Sequence, residues 1–259
     1  MITIIITVLV CFVFYKLFTN YINSFKTNNK YIVIVVDGII GAGKTVLINE
    51  CLVPILSKRG LRITVIGESV EKWERTGRLK QFYENKSRRG YQFQTRVFHD
   101  RVKKSQKKFR KYRKSTDVFL LERSIFTDLL FMEMLYEDGE IDKSEYEDYK
   151  ILWTMWEKVM PFKPDLFVYL KPDIDIIMKR VNERDRDGEK KGVPKSYQIK
   201  LQEKHNNFLG KEFVNISKSN TVPCFHLATN SNFKNDKIIQ AQIADTFEDK
   251  IKFIQKSKF

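Results

Sequence analysis

The chain has 259 residues, 42% hydrophobic and 31% charged, enough for one α/β domain with a substantial core. Three cysteines (Cys11, Cys51, Cys224) and three histidines (His99, His205, His226) are scattered without ligand spacing, which argues against a disulfide framework or a zinc site and fits a reducing compartment. A formal charge of +15 suits nucleic acid, an acidic membrane or a polyphosphate ligand, but Lys, Asn and Ile are used heavily everywhere, so charge alone does not choose.

Residues 2–18, ITIIITVLVCFVFYKLF, carry a single charge, Lys16, and approach the roughly 17–25 residues needed to cross a bilayer. No basic region precedes them and no small-residue cleavage site follows. Lys16, Lys26 and Lys30 all lie on the C-terminal side, which places the remainder in the cytosol. The expectation is a cytoplasmic protein tethered to a membrane through 2–18; the alternative is an amphiphilic extension packed on the domain. The chain then divides into a hydrophobic segment 1–18, a polar, Asn-rich linker 19–29, and a folded domain 30–259.

Residues 31–36, YIVIVV, form an apolar run expected of a strand buried on both faces. It leads into Gly38-Ile-Ile-Gly41-Ala42-Gly43-Lys44-Thr45, a G-x-x-x-x-G-K-[ST] phosphate loop. The glycines let backbone N–H groups close around phosphate, Lys44 supplies a charge for the outer phosphates, and Thr45 offers a hydroxyl to magnesium at a helix N-terminus. That helix should run to about Lys58 and stop at Gly60, with Pro54 kinking it or ending it early. A strand over 61–66 delivers Glu68 past its C-terminal end, the edge where open α/β sheets bind ligands. After Tyr91-Gln-Phe-Gln94 a helix runs to about 114 on a stripe of Phe98, Val102, Phe109 and Tyr112. Its nine basic residues between Arg101 and Lys114 read as a solvated face rather than a nucleic-acid site, lacking aromatic interleaving. A third strand, 117–121, ends in Glu122-Arg123-Ser124; an acidic stretch, 133–148, leads to a helix with Trp153 and Trp156. A fourth strand, 165–170, a helix from about 173, a fifth strand at 222–227 and a final helix complete the chain. The expected fold is α/β: a five-stranded parallel sheet with helices on both faces.

Phosphoryl transfer to an alcohol benefits from a carboxylate that accepts the hydroxyl proton beside cations that hold the moving phosphoryl. Glu68 and the Glu122-Arg123 pair both fall at strand ends, as the phosphate loop does, and would converge if their strands are neighbours.

With GIIGAGKT, E-S-V-E-K-W, Y-Q-F-Q-T, E-R-S-I-F-T-D and an R-x-x-x-R-x-R segment before G-V-P-x-x-Y, the chain resembles the deoxyribonucleoside kinase family from Ile32 to about Phe253. The resemblance implies a P-loop kinase with an arginine-rich lid that uses ATP (or another NTP) and Mg2+ to phosphorylate a deoxyribonucleoside, as a homodimer whose interface includes the helix over 101–114, with the acidic stretch of a partner opposite it. It implies Glu68 as catalytic base at the 5′-hydroxyl with Arg123 beside it, and Glu122 and Thr45 toward magnesium. Trp73, Tyr83 and Phe93 match the nucleoside pocket walls, and Gln94 the side chain that reads the base. Arg180, Arg184 and Arg186 match the lid arginines, and Asn232-Phe233-Lys234 the loop that packs on the donor's adenine. The lid glutamate for the sugar 3′-hydroxyl falls at Lys190, so Glu189 serves only if a one-residue insertion is absorbed. Val97 and Arg101 share a helix face with Gln94, and an Arg101–Asp128 pair goes in the family with deoxycytidine or a purine deoxynucleoside rather than thymidine. Two alternatives stand beside this: a thymidylate-kinase-like nucleotide kinase, and a membrane-tethered interaction protein without catalysis.

Overall fold

The computed structural model describes residues 31–184, 186–217, 220–231 and 233–258. The expected tether and linker, and Asn232 of the adenine loop, lie outside the described residues, as does the side chain of Lys190. Among the described residues no helix is long and apolar enough to cross a membrane.

The first strand, β1 (Ile32–Asp37), is buried along its whole length. Alternate side chains serve two cores: Val33 and Val35, with Tyr31, join one, while Ile32, Ile34 and Val36 join the other. This two-sided burial is why the run is uninterrupted rather than alternating. Past the phosphate loop, helix α1 consists of Lys44–Val46, a widened π-type turn at Leu47–Leu52, and Val53–Lys58. Pro54 therefore does not end the helix. The widened turn shifts the hydrogen-bond ladder, and the donor-less residue falls where the α pattern restarts. Gly60, at φ 92°, stops the helix as expected.

Strand β2 (Ile63–Ile66) leads to the short helices α2 (Val70–Arg75) and α3 (Arg78–Glu84). Helix α4 (Lys86–Tyr112) starts earlier than its hydrophobic stripe indicates, because the Asn85 side chain accepts from the Arg88 N–H at 2.9 Å and caps it. Next come β3 (Val118–Glu122), α5 (Ile125–Glu137), α6 (Lys143–Val159) and β4 (Leu166–Leu170). The chain continues through α7 (Ile174–Arg184), α8 (Glu189–Gly192), α9 (Lys195–Leu209), β5 (Phe213–Ser217), β6 (Asn220–Leu227) and α10 (Lys237–Lys258).

The sheet order is β2-β3-β1-β4-β6-β5. The five expected parallel strands are present, but the sheet has six: β5 pairs antiparallel with β6 at the edge, through an irregular register between Asn215 and Ser217. It buries only Val214 and Ile216 and exposes Phe213, a two-residue signal too weak to read beforehand. Strands β1 and β3 are neighbours, with β2 on the far side of β3, so the strand ends carrying the loop, Glu122 and Glu68 meet at one edge.

Candidate active site

At the C-terminal edge of the sheet a cavity of about 480 Å³ opens. Its lining includes Gly41, Gly43, Lys44, Thr45, Glu68, Trp73, Tyr83, Phe93, Gln94, Val97, Arg101, Glu122, Arg123, Asp128, Arg180, Arg184, Arg186, Glu189 and Phe233. Of the site residues expected from sequence, only Gly38 and Ala42 stand behind the wall. Gly38 is needed as glycine, since a Cβ would come 2.6 Å from the Leu170 carbonyl at φ 148°. Ala42 is fully buried among core residues of the β1 sheet face.

The loop end is strongly polar. Lys44 donates to the Gly38 and Ile39 carbonyls at 3.0 and 3.1 Å. Burial and the nearby Arg123 charge pull its ammonium down to about 8, against the opposing pull of Glu68, Glu122 and Asp37. Thr45 Oγ1 donates to Glu122 Oε1 at 2.6 Å. This hydroxyl–carboxylate pair beside the loop is a hard-oxygen donor set that suits magnesium, which keeps water and phosphate in most of its coordination sphere. Among the described residues no group of three or more His, Cys, Asp or Glu could hold a metal alone, so an ion here would share its coordination with a bound phosphate.

Glu68 stands where two guanidinium groups meet. Arg101 Nη2 donates to its Oε1 at 2.8 Å, and Arg123 Nε lies 3.5 Å from the same oxygen. Burial alone would raise this carboxyl; Arg123, Arg101 and Lys44 outweigh it and hold Glu68 below the ordinary carboxylate value. Arg101 also donates to Asp128 at 2.8 Å and to the Glu122 carbonyl at 2.9 Å. At 8% exposure it belongs to the cavity rather than to the solvated face of its helix. Lys104, one turn on, likewise leaves that face and donates to the Gly67 and Glu68 carbonyls at 2.6 and 3.2 Å. Two of the nine basic residues of this stretch therefore fasten the turn that carries Glu68.

The far end is aromatic. Phe93 stacks on Phe82 (centroids 4.6 Å apart) and meets Trp73 edge-on at 5.7 Å. Trp73 is oriented by its indole N–H, which donates to Asp100 at 3.0 Å. The three lid arginines face the cavity but engage the protein. Arg180 donates to the Thr229 carbonyl at 2.7 Å, Arg184 Nε to Glu189 at 2.7 Å, and Arg186 pairs with Glu74 at 3.1 Å. Glu189 is 1% exposed, so its side chain reaches inward despite the shifted spacing.

Sequence reading missed the support beneath Arg123. Asp37, the last residue of β1, accepts from the Gly38 N–H at 2.7 Å, from Thr127 Oγ1 at 2.6 Å and from Arg123 Nη1 at 3.2 Å. His205, fully buried, holds Nδ1 2.8 Å from the Leu201 carbonyl. A carbonyl only accepts, so Nδ1 carries the proton and the bare Nε2 faces Arg123 Nη1 at 3.3 Å. Burial pushes His205 below its ordinary imidazole value and keeps the ring neutral, against the pull of Asp37. Burial also opposes the Asp37 charge, but the Arg123 charge and the Thr127 hydrogen bond outweigh it and hold the carboxyl well below the carboxylate range. Arg123 is the one non-glycine residue with positive φ (62°) among the described residues, a backbone state that persists where its surroundings over-determine it. These partners lie more than 80 residues away along the chain, and no local pattern announces them.

A doubly wound sheet, a phosphate loop aimed into a cavity, and a carboxylate flanked by two arginines across from it define a P-loop kinase. The family model for deoxynucleoside kinases matches residues 34–252. A probable deoxycytidine kinase of fowlpox virus is 32% identical over 83% of this chain and 86% of its own. Deoxycytidine kinase 2 of Gallus gallus is 27% identical over 81% and 86%, and a deoxyadenosine kinase of Dictyostelium discoideum 28% over 68% and 66%. The chain belongs to the deoxynucleoside kinase family.

Proposed function

We propose that this enzyme transfers the γ-phosphoryl group of ATP to the 5′-hydroxyl of a deoxyribonucleoside in nucleotide salvage. The observation that carries the reading is the single cavity: phosphate loop at one end, aromatic walls at the other, Glu68 between them. Glu68, ionised and anchored by Arg101, accepts the hydroxyl proton. Arg123 neutralises charge on the moving phosphoryl, while Lys44 and the lid arginines exchange their protein partners for donor phosphates. The 5′-oxygen–phosphorus bond forms as the bond to the ADP oxygen breaks. Magnesium, held by Thr45 and Glu122 with the phosphates, would supply further charge neutralisation. Gln94 reads the base, Phe233 packs on the donor's adenine, and Glu189 meets the sugar.

The Arg101–Asp128 pair favours a base with an exocyclic amino donor, because a buried carboxylate left opposite a carbonyl costs about 1–3 kcal/mol. Val97 narrows the pocket. Deoxycytidine is ranked first and a purine deoxynucleoside second. Relative kcat/KM for deoxycytidine, deoxyadenosine, deoxyguanosine and thymidine tests this; a preference for thymidine overturns the base assignment.

The same reading includes a homodimer. Glu133, Glu137 and Asp138 of the acidic stretch are taken by Lys200 and Lys204 of the same chain. The exposed Ile151 and Met155 of α6, 61% and 62% exposed, carry the expectation instead. A monomer in light scattering at physiological salt would refute it. Membrane association through 2–18 rests on hydropathy, and cofractionation of the full chain with membranes is its check.

A further inference from the structure

The catalytic groups occupy the edge where the parallel strands end; at the opposite edge the strands begin and the described chain starts. Ile32 of β1 is level with Val118 of β3, which is level with Ile63 of β2. Helices α1 and α4, which run back between parallel strands, finish here at Lys58 and Tyr112, and the final helix α10 ends here at Lys258. Tyr31 packs its ring on Phe109 of α4 at 5.6 Å, and its carbonyl accepts from Lys258 at 3.1 Å. The chain leading back to residues 2–18 therefore leaves from this edge.

The edge is basic. Lys58, Lys114, Lys163 and Lys256 are exposed, and none has a carboxylate partner in the ion pairs of the described residues. The carboxylates at the strand starts are already taken: Asp117 by Arg62 at 3.0 Å and Asp165 by Lys258 at 2.9 Å. Residues 19–30 can span at most about 43 Å. If 2–18 is in a bilayer, this edge is held close to the bilayer surface.

We propose that this basic edge docks on an anionic lipid surface, which turns the catalytic edge toward solution. The inference rests on the tether reading, since 2–18 supplies proximity, but the surface has its own test. Attraction between lysines and acidic headgroups acts over about 8 Å at physiological salt and disappears as salt rises. The full chain is bound to phosphatidylcholine vesicles or to vesicles with about 30 mol% phosphatidylserine, and lysine acetylation rates are read by mass spectrometry. Lys58, Lys114, Lys163 and Lys256 should react at least about fivefold more slowly on the anionic vesicles, with the difference lost near about 1 M salt. Lys179, on the lid side and 77% exposed, should not change. The triple variant K114E/K163E/K256E should lose the protection while staying vesicle-bound. Equal rates on both vesicles, with the chain still bound, would overturn the docking surface and leave the tether. Release from phosphatidylcholine vesicles would instead refute the tether, and protection on the anionic vesicles would then support the surface alone. Equal protection by RNA at matched phosphate concentration would overturn the commitment to a bilayer.

Discussion

Arg123 is held in place by buried groups beneath the cavity. Asp37 ties it to the first N–H of the phosphate loop, His205 accepts from its guanidinium, and the Phe131 ring lies 4.8 Å from it. Removing the imidazole leaves a buried N–H unpaired, at about 1–3 kcal/mol. His205→Ala should therefore lower kcat by about 5–100-fold with a smaller change in the KM for ATP. His205→Gln, which restores an acceptor, should recover most of the loss. Equal losses in both variants, tracking a lowered Tm, would mean a purely structural role. Glu68→Gln should leave ATP affinity nearly intact and cut kcat by about 10²–10⁴-fold; unchanged turnover would remove Glu68 from the mechanism. The pH profile follows from the same groups. Glu68 is held below the usual carboxylate value, so its carboxylate is already formed at neutral pH and adds no limb there. Lys44 loses its proton as pH rises through about 8. The kcat/KM for ATP should be flat from about pH 6.5 upward and fall above about 8. A profile flat to about pH 10 would contradict the buried environment of Lys44.

Elements that present a continuous or periodic apolar face were legible beforehand, because burial writes itself into local sequence. Strand β1 and helix α4 are of this kind, and so are Glu68 and Glu122, which lie at strand ends. The wide turn before Pro54 and the edge strand β5 were not legible, since each is decided by neighbours that no window of sequence contains. The lid is a third case. Helix α8 passes so near Tyr83, proposed as part of the nucleoside wall, that a Cβ on Gly192 would fall 2.3–2.5 Å from its Cδ1, Cγ and Cβ atoms. Gly192→Ala should push α8 away and disturb Glu189 and Tyr83 together. The KM for the nucleoside should rise by about tenfold, with less effect on the KM for ATP. If ATP suffers equally, α8 is not specific to the acceptor half.

At the scale of the whole molecule, the order β2-β3-β1-β4 decides the function. It sets β3 between the strands bearing the loop and Glu68, so the phosphate loop and Glu68 line one cavity, as direct phosphoryl transfer requires. The motifs implied each half separately; the sheet order joins them. The most direct measurement follows the phosphoryl itself, by incubating the full chain with magnesium, γ-labelled ATP and deoxycytidine or a purine deoxynucleoside. Label should appear in the nucleoside 5′-monophosphate, with one ADP formed for each. Label that moves only when a deoxynucleoside monophosphate is the acceptor, or ADP formed without labelled nucleotide, would contradict the account.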